Sequence, residues 1–165
     1  MTEAKPDRRA EARLRRSAAR LSAVQALYQM ELTGRGLKTT EIEFETRWIG
    51  AEIEGDQYRE ADIDHFHAIL RGAVREQARI DKLTDAALAQ NWPIDRIDPT
   101  LRALFRAAGA ELLTTETPPR VTIVEYVDVA KAFFDAGREA KFVNAVLDHM
   151  ARDARPEAFD AKKPA

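Results

Sequence analysis

Seven basic residues crowd the first 20 positions: Lys5, Arg8, Arg9, Arg13, Arg15, Arg16 and Arg20, against Glu3, Asp7 and Glu11. Guanidinium and ammonium groups at this density suit one task above others, the neutralisation of phosphates. The segment is net +4 while the 165-residue chain is −2, so the remainder carries −6. On a helix turning about 100° per residue, Arg9, Arg13, Arg16 and Arg20 fall within an arc of roughly 60°. A solvated leader would have the same composition, and charge alone does not separate the two readings.

Other chemistry is sparse. Asp64, His65 and His67 suggest a metal or acid–base cluster, but residues 65 and 67 of a helix point about 160° apart, whereas helical ligands to one ion sit three or four positions apart. His149 is remote in sequence. The chain has no cysteine, which excludes disulfides, thiolate metal sites and a cysteine nucleophile. Gly34-Arg-Gly36 lacks the further residues of a phosphate loop, and no Gly-x-Ser-x-Gly elbow is present. Carboxylates such as those from Glu41 to Glu45 and from Asp81 to Asp85 read mostly as solvated faces. The sequence therefore calls for no metal, no cofactor and no enzymatic activity.

A second basic element lies near the C-terminus. With Phe142 at 0° on its helix, Val146, Met150, Val143 and Leu147 span roughly 40° to 140°, which puts Phe142 at the edge of the apolar stripe. Arg138 and His149 flank it, with Lys141 further round. An aromatic ring at a helix border among cations can stack an unpaired base, although the same ring also suits a core position.

These groups have to be positioned by helices. Arg16 to Leu32 reads as a first helix closed by Gly34, Thr40-Glu-Ile-Glu43 as a capping box opening a second that ends near Glu52, and Asp62 onward as a long amphipathic run through Ile80. Asn91-Trp-Pro93 interrupts the pattern, and Asp98-Pro99 restarts it. Thr122-Ile-Val-Glu125 reads as another capping box, and the last helix as Glu139 to Arg152. Six or seven helices with no convincing strand predict an all-α fold. The expected organisation is a flexible basic leader over 1–12, one helical domain over 13–152 and a flexible tail over 153–165. No apolar run approaches the ~20 residues of a membrane span or follows the basic N-terminus as in an export signal, so a cytoplasmic location is expected.

Arg15-Arg-Ser-Ala-Ala-Arg-Leu-Ser-Ala-Val-Gln-Ala-Leu-Tyr28 and Lys141-Phe-Val-Asn-Ala-Val-Leu-Asp148 together closely resemble the bacterial transcription antitermination factor family NusB, in the order and at the chain length that family has. Asp98 to Leu113 and Pro119 to Phe134 are similar in character to the helices lying between those motifs, so the resemblance covers about residues 13 to 152. It implies two packed helical bundles without enzymatic activity. It also implies binding of the single-stranded boxA element of ribosomal RNA transcripts together with the small-subunit ribosomal protein NusE, within a transcription elongation complex. Residue by residue, Arg15, Arg16 and Arg20 match the family's N-terminal arginines. Gln25 and Tyr28 match its first-helix polar and aromatic positions, and Lys141 and Phe142 its C-terminal motif.

Arg13 and Arg138 join this expected RNA surface through their charge. Arg138 stands where an acidic residue occurs elsewhere in the family, and Ser17 where some members carry another arginine. Asn144 also matches but points away from Phe142, which marks it as structural. The acidic body would suit a basic ribosomal protein. The alternative reading is a helical protein-interaction module with only incidental RNA contact; an accessory domain of an RNA methyltransferase is disfavoured because the chain has no cofactor-binding segment.

Overall fold

The computed structural model describes residues 7–48, 52–53, 56–57, 61–88, 97–134 and 137–160. Asp7 opens the first helix, α1 (Arg8–Thr33): its carboxylate accepts the Arg9 amide at 3.0 Å, and Gly34, at φ 70°, closes the helix by donating its N–H to the Met30 carbonyl. Only glycine adopts that left-handed conformation without strain. Residues 8–12, expected in the leader, are therefore helical. The Asn91-Trp-Pro93 interruption lies outside the described residues.

The second helix differs from expectation. α2 (Leu37–Glu43) starts one turn early, because the Thr40 hydroxyl donates back to the Gly36 carbonyl at 2.9 Å rather than capping, and it runs into a π-helical turn at Phe44–Trp48. Two-residue strands β1 (Glu52–Ile53) and β2 (Asp56–Gln57) pair antiparallel, a ladder too short to form a layer. Asp62 caps α3 (Ile63–Arg75) by accepting the His65 amide at 3.0 Å. The expected long run breaks at Glu76, where φ −105° and ψ 19° leave the helical region, and α4 (Gln77–Ala87) follows as a separate helix.

Asp98 caps α5 (Pro99–Thr114), with Pro99 in the first turn. α6 (Pro119–Phe133) begins at its prolines, a turn before the capping box read at Thr122; Thr122 lies inside the helix and its hydroxyl reaches back to the Pro118 carbonyl. α7 (Gly137–Ala154) is two residues longer at each end than expected. A 3₁₀ turn at Pro156–Ala158 then brings Phe159 between the guanidinium carbons of Arg120 and Arg152, 5.0 and 4.6 Å from its ring centre. The start of the expected tail is thus docked on the domain by cation–π contacts.

The fold is all-α, with α5 as the shared axis of two bundles. α1 and α3 pack on one side of it, and α4, α6 and α7 on the other. Leu101, Leu104, Phe105, Ala108 and Leu112 are buried, and so are Ala103, Ala107 and Ala110, which makes α5 apolar nearly all round, as a central helix must be. Its small residues let neighbours come close: a Cβ at Gly109 would overlap Ile80 Cγ2 of α4, and one at Gly72 of α3 would lie 2.6 Å from Thr114 Oγ1. Among the described residues no helix is long and apolar enough to cross a membrane.

Candidate nucleic-acid interface

From Arg9 onward, the arginines of α1 divide into three groups. Arg9, Arg13 and Arg16 line one surface hollow of about 540 Å³, with Asp7 and Ala12. Arg15, 200° round the helix from Arg13 at about 100° per residue, turns instead to a second depression shared with Asp62, Ile63 and Asp64. Its backbone carbonyl accepts the Asp62 amide at 3.0 Å, which ties α1 to the start of α3.

Arg20, expected among the RNA contacts, is not on the surface. It is 2% exposed and forms a bidentate pair with Glu111 of α5, Nε to Oε1 at 2.8 Å and Nη2 to Oε2 at 3.0 Å, with Glu125 of α6 3.5 Å from Nη1. Tyr126 donates its hydroxyl to Glu111 Oε1 at 2.9 Å, His65 Nε2 stands 3.1 Å from the same oxygen, and Ser17 donates to Glu125 at 2.8 Å. Burial pushes the Glu111 carboxyl up, but His65 and Arg20 outweigh it and hold the group down at about 2. Burial, followed by the Glu111 charge, keeps the Tyr126 phenol well above its ordinary range and so protonated. Arg20 lies on the same face of α1 as Arg9, Arg13 and Arg16; its guanidinium anchors that face to α5 and α6, while the other three, nearer the start of the helix, line the surface hollow.

Further along α1, exposed Gln25 and half-buried Tyr28 line a cleft of about 360 Å³ with Val24, Gln29, Phe44, Thr100 and Phe133. The cleft is aromatic on several sides and carries amides at its rim. Phe142 is 37% exposed and rests edge-on against buried Phe105, ring centres 6.3 Å apart. The ring is thus part of the core packing on one side and open on the other. Lys141 beside it is exposed. The Arg138 side chain lies outside the described residues, although its backbone belongs to the first turn of α7.

The structure thus joins Gln25 to Tyr28, and it sets Arg13 and Arg16 apart from Arg15. Phe142 and the cleft are both supported by the N-terminal half of α5, through Phe105 and Thr100 respectively. Arg13 and Arg16 sit beyond the Arg20–Glu111 pair, toward the other end of that helix. Sequence reading did not single out Gln29, Thr100 or Phe133 as site residues. Only the i, i+4 spacing of Gln25 and Gln29 was visible locally; the other two arrive from α5 and α6.

The NusB family model matches residues 17–152. The chain belongs to the NusB family. Among curated relatives, the transcription antitermination protein NusB of Rhodopseudomonas palustris (strain BisB18) is 52% identical over 146 residues, which cover 88% of this chain and 86% of that protein. The protein of the same name from Bradyrhizobium diazoefficiens is 48% identical over 146 residues, 88% of each chain. Among solved structures, T. maritima NusB superposes with a TM-score of 0.70 at 28% identity, covering 88% of this chain and 97% of that one. A chain from a complex of the antitermination factors NusB and NusE with double-stranded RNA gives 0.66 at 25% identity, covering 85% and 98%. Membership of NusB places the chain among transcription antitermination factors, a class without enzymatic activity.

Proposed function

We propose that this NusB chain binds the single-stranded boxA element of ribosomal RNA transcripts, together with the ribosomal protein NusE, as part of a cytoplasmic transcription elongation complex. The observation that carries the reading is the hollow in which Arg9, Arg13 and Arg16 converge on one face of α1, on the same helix as the Gln25–Tyr28 cleft. In this reading Arg13, Arg16 and Lys141 hold phosphates, with Arg9 added to them; Arg15 and Arg138 contribute charge at the margins. Phe142 and Tyr28 take bases, and Gln25 bonds to a base edge. Phosphate contacts set the position and base contacts the sequence. Arg20 is withdrawn from the surface and acts through α1.

NusE as partner rests on the relative whose structure was solved with NusE and RNA, and on the acidic balance of the chain outside its first 20 residues. Binding of labelled boxA-like RNA, measured by anisotropy with and without NusE, tests the reading. Four phosphate contacts on a single strand give a salt slope of about −2.8, or roughly fifty-fold loss of affinity between about 50 and 200 mM salt. Phe142→Ala should weaken boxA-like RNA more than scrambled RNA, by roughly 1–3 kcal/mol for a lost stack, whereas Arg13→Ala should weaken both alike. A slope near zero, or RNA affinity detectable only as NusE binding, would instead favour a protein-interaction module.

A further inference from the structure

Apart from the arginine hollow, three side chains able to ligate a cation, from three elements, meet at one point. Glu41 lies in α2, Glu45 in the π-helical turn that follows, and His67 in α3; one carboxylate oxygen of each glutamate and a ring nitrogen of the histidine all lie within 4.8 Å of one another. His67 Nε2 contacts Glu45 Oε1 and stands 3.7 Å from Glu41 Oε2. Glu41 is 7% exposed, so this is not a loose surface cluster of carboxylates. Arg71 forks onto Glu41, Nε to Oε1 at 3.0 Å and Nη2 to Oε2 at 3.1 Å. Each carboxylate oxygen keeps a further lone pair, and with two glutamates against one arginine the group retains net negative charge when His67 is neutral.

We propose that Glu41, Glu45 and His67 form a binding site for one divalent transition cation of the zinc type. The donor set decides the class: an imidazole nitrogen suits zinc, cobalt or nickel, whereas magnesium and calcium take all-oxygen shells. Two carboxylates and one imidazole supply three ligands of a tetrahedral ion and leave the fourth to water. Arg71 orients Glu41 from the outer shell. The ion clamps α2 and the π-helical turn to α3. Phe44, between the two glutamates, stacks on Phe66 at 5.8 Å between ring centres and lines the cleft of Tyr28 and Gln25, so the clamp also fixes one wall of that cleft.

Calorimetric titration of the full chain with Zn²⁺ at neutral pH tests the site, with Mg²⁺ as comparator and Co²⁺ visible absorption reporting the ligand field. His149, exposed and 3.2 Å from Asp153, is the natural place for stray zinc, so His149→Ala serves as control. The expected result is one equivalent of Zn²⁺ bound in preference to Mg²⁺, affinity reduced at least ten-fold in both His67→Ala and Glu45→Gln, and no change in His149→Ala. The Co²⁺ spectrum should be tetrahedral and lost in the same two variants. Absence of saturable Zn²⁺ binding, binding abolished by His149→Ala, or binding that survives Glu45→Gln unchanged would each overturn the assignment. RNA affinity does not enter the readout.

Discussion

At the level of single residues, the Arg20–Glu111 pair shows how burial changes what a charge is for. Glu111 is 0% exposed and accepts from Arg20 and Tyr126 while facing His65. Removing one partner of such a pair strands the other charge, at a cost of about 3–5 kcal/mol; Glu111→Gln should lower stability by that order, read from urea unfolding. The pH dependence has a definite sign. With its folded value at about 2 against an ordinary 4.5, Glu111 contributes about 3 kcal/mol above pH 4.5, and this is lost as pH falls toward 2. Wild type should lose stability more steeply than Glu111→Gln across that acid range; parallel profiles would contradict the assignment. None of this was legible in the arginine-rich segment itself, because Glu111 lies 91 positions away and nothing local distinguishes Arg20 from Arg16. The proposed grouping of His67 with Glu41 and Glu45 was hidden for the same reason: the two glutamates lie on other elements, and a search along one helix finds only His65 and Asp64.

Among the helices, the boundaries set by local chemistry were the ones readable in advance. Asp98 with Pro99, Asp62 before Ile63 and Gly34 after Thr33 each act through an adjacent backbone group, so the sequence neighbourhood contains the whole signal. The two capping boxes failed where a competing partner existed: Thr40 bonds back to Gly36, and Glu125, far from closing a box, accepts Ser17 of α1. Amphipathic periodicity also ran straight through Glu76, since apolar spacing is blind to a single residue that leaves the helical conformation. Close packing at α5 supplies a test. An exposed helix gains about 1 kcal/mol from Gly→Ala, but Gly109→Ala would drive its Cβ into the buried, β-branched Ile80. It should therefore destabilise by about 1–3 kcal/mol, measured by thermal or denaturant unfolding; a gain in stability would mean that α4 and α5 can separate at no cost.

The whole molecule is organised so that neither bundle is complete without α5. Glu31 of α1 pairs with Arg102 and Arg106 of α5, each at 3.0 Å, and Arg106 forks on to Asp81 of α4 at 3.0 and 2.9 Å, which ties the two bundles together across the same helix. A shared core of this kind predicts one cooperative transition. Far-UV circular dichroism and near-UV aromatic signals should give coincident unfolding curves, whereas two separated midpoints would show that the bundles are independent. The all-α class was legible from helical periodicity and from the lack of convincing strand patterns in the sequence, and the β1–β2 ladder of two residues a side does not alter it. The sharing of α5 was not, because its near-continuous apolar surface says that it is buried but not by which neighbours.

α1 runs without interruption for 26 residues, from the Asp7 cap to the Gly34 stop. At 1.5 Å per residue that is a rod of about 39 Å, and it contains no hinge between the arginine hollow near its start and the cleft at Gln25 and Tyr28. An RNA held at both places meets a fixed span, which the protein cannot stretch to suit it. In the proposed reading the helix then measures as well as grips: a spacer too short to reach from one place to the other would lose one of the two contacts, whatever its bases.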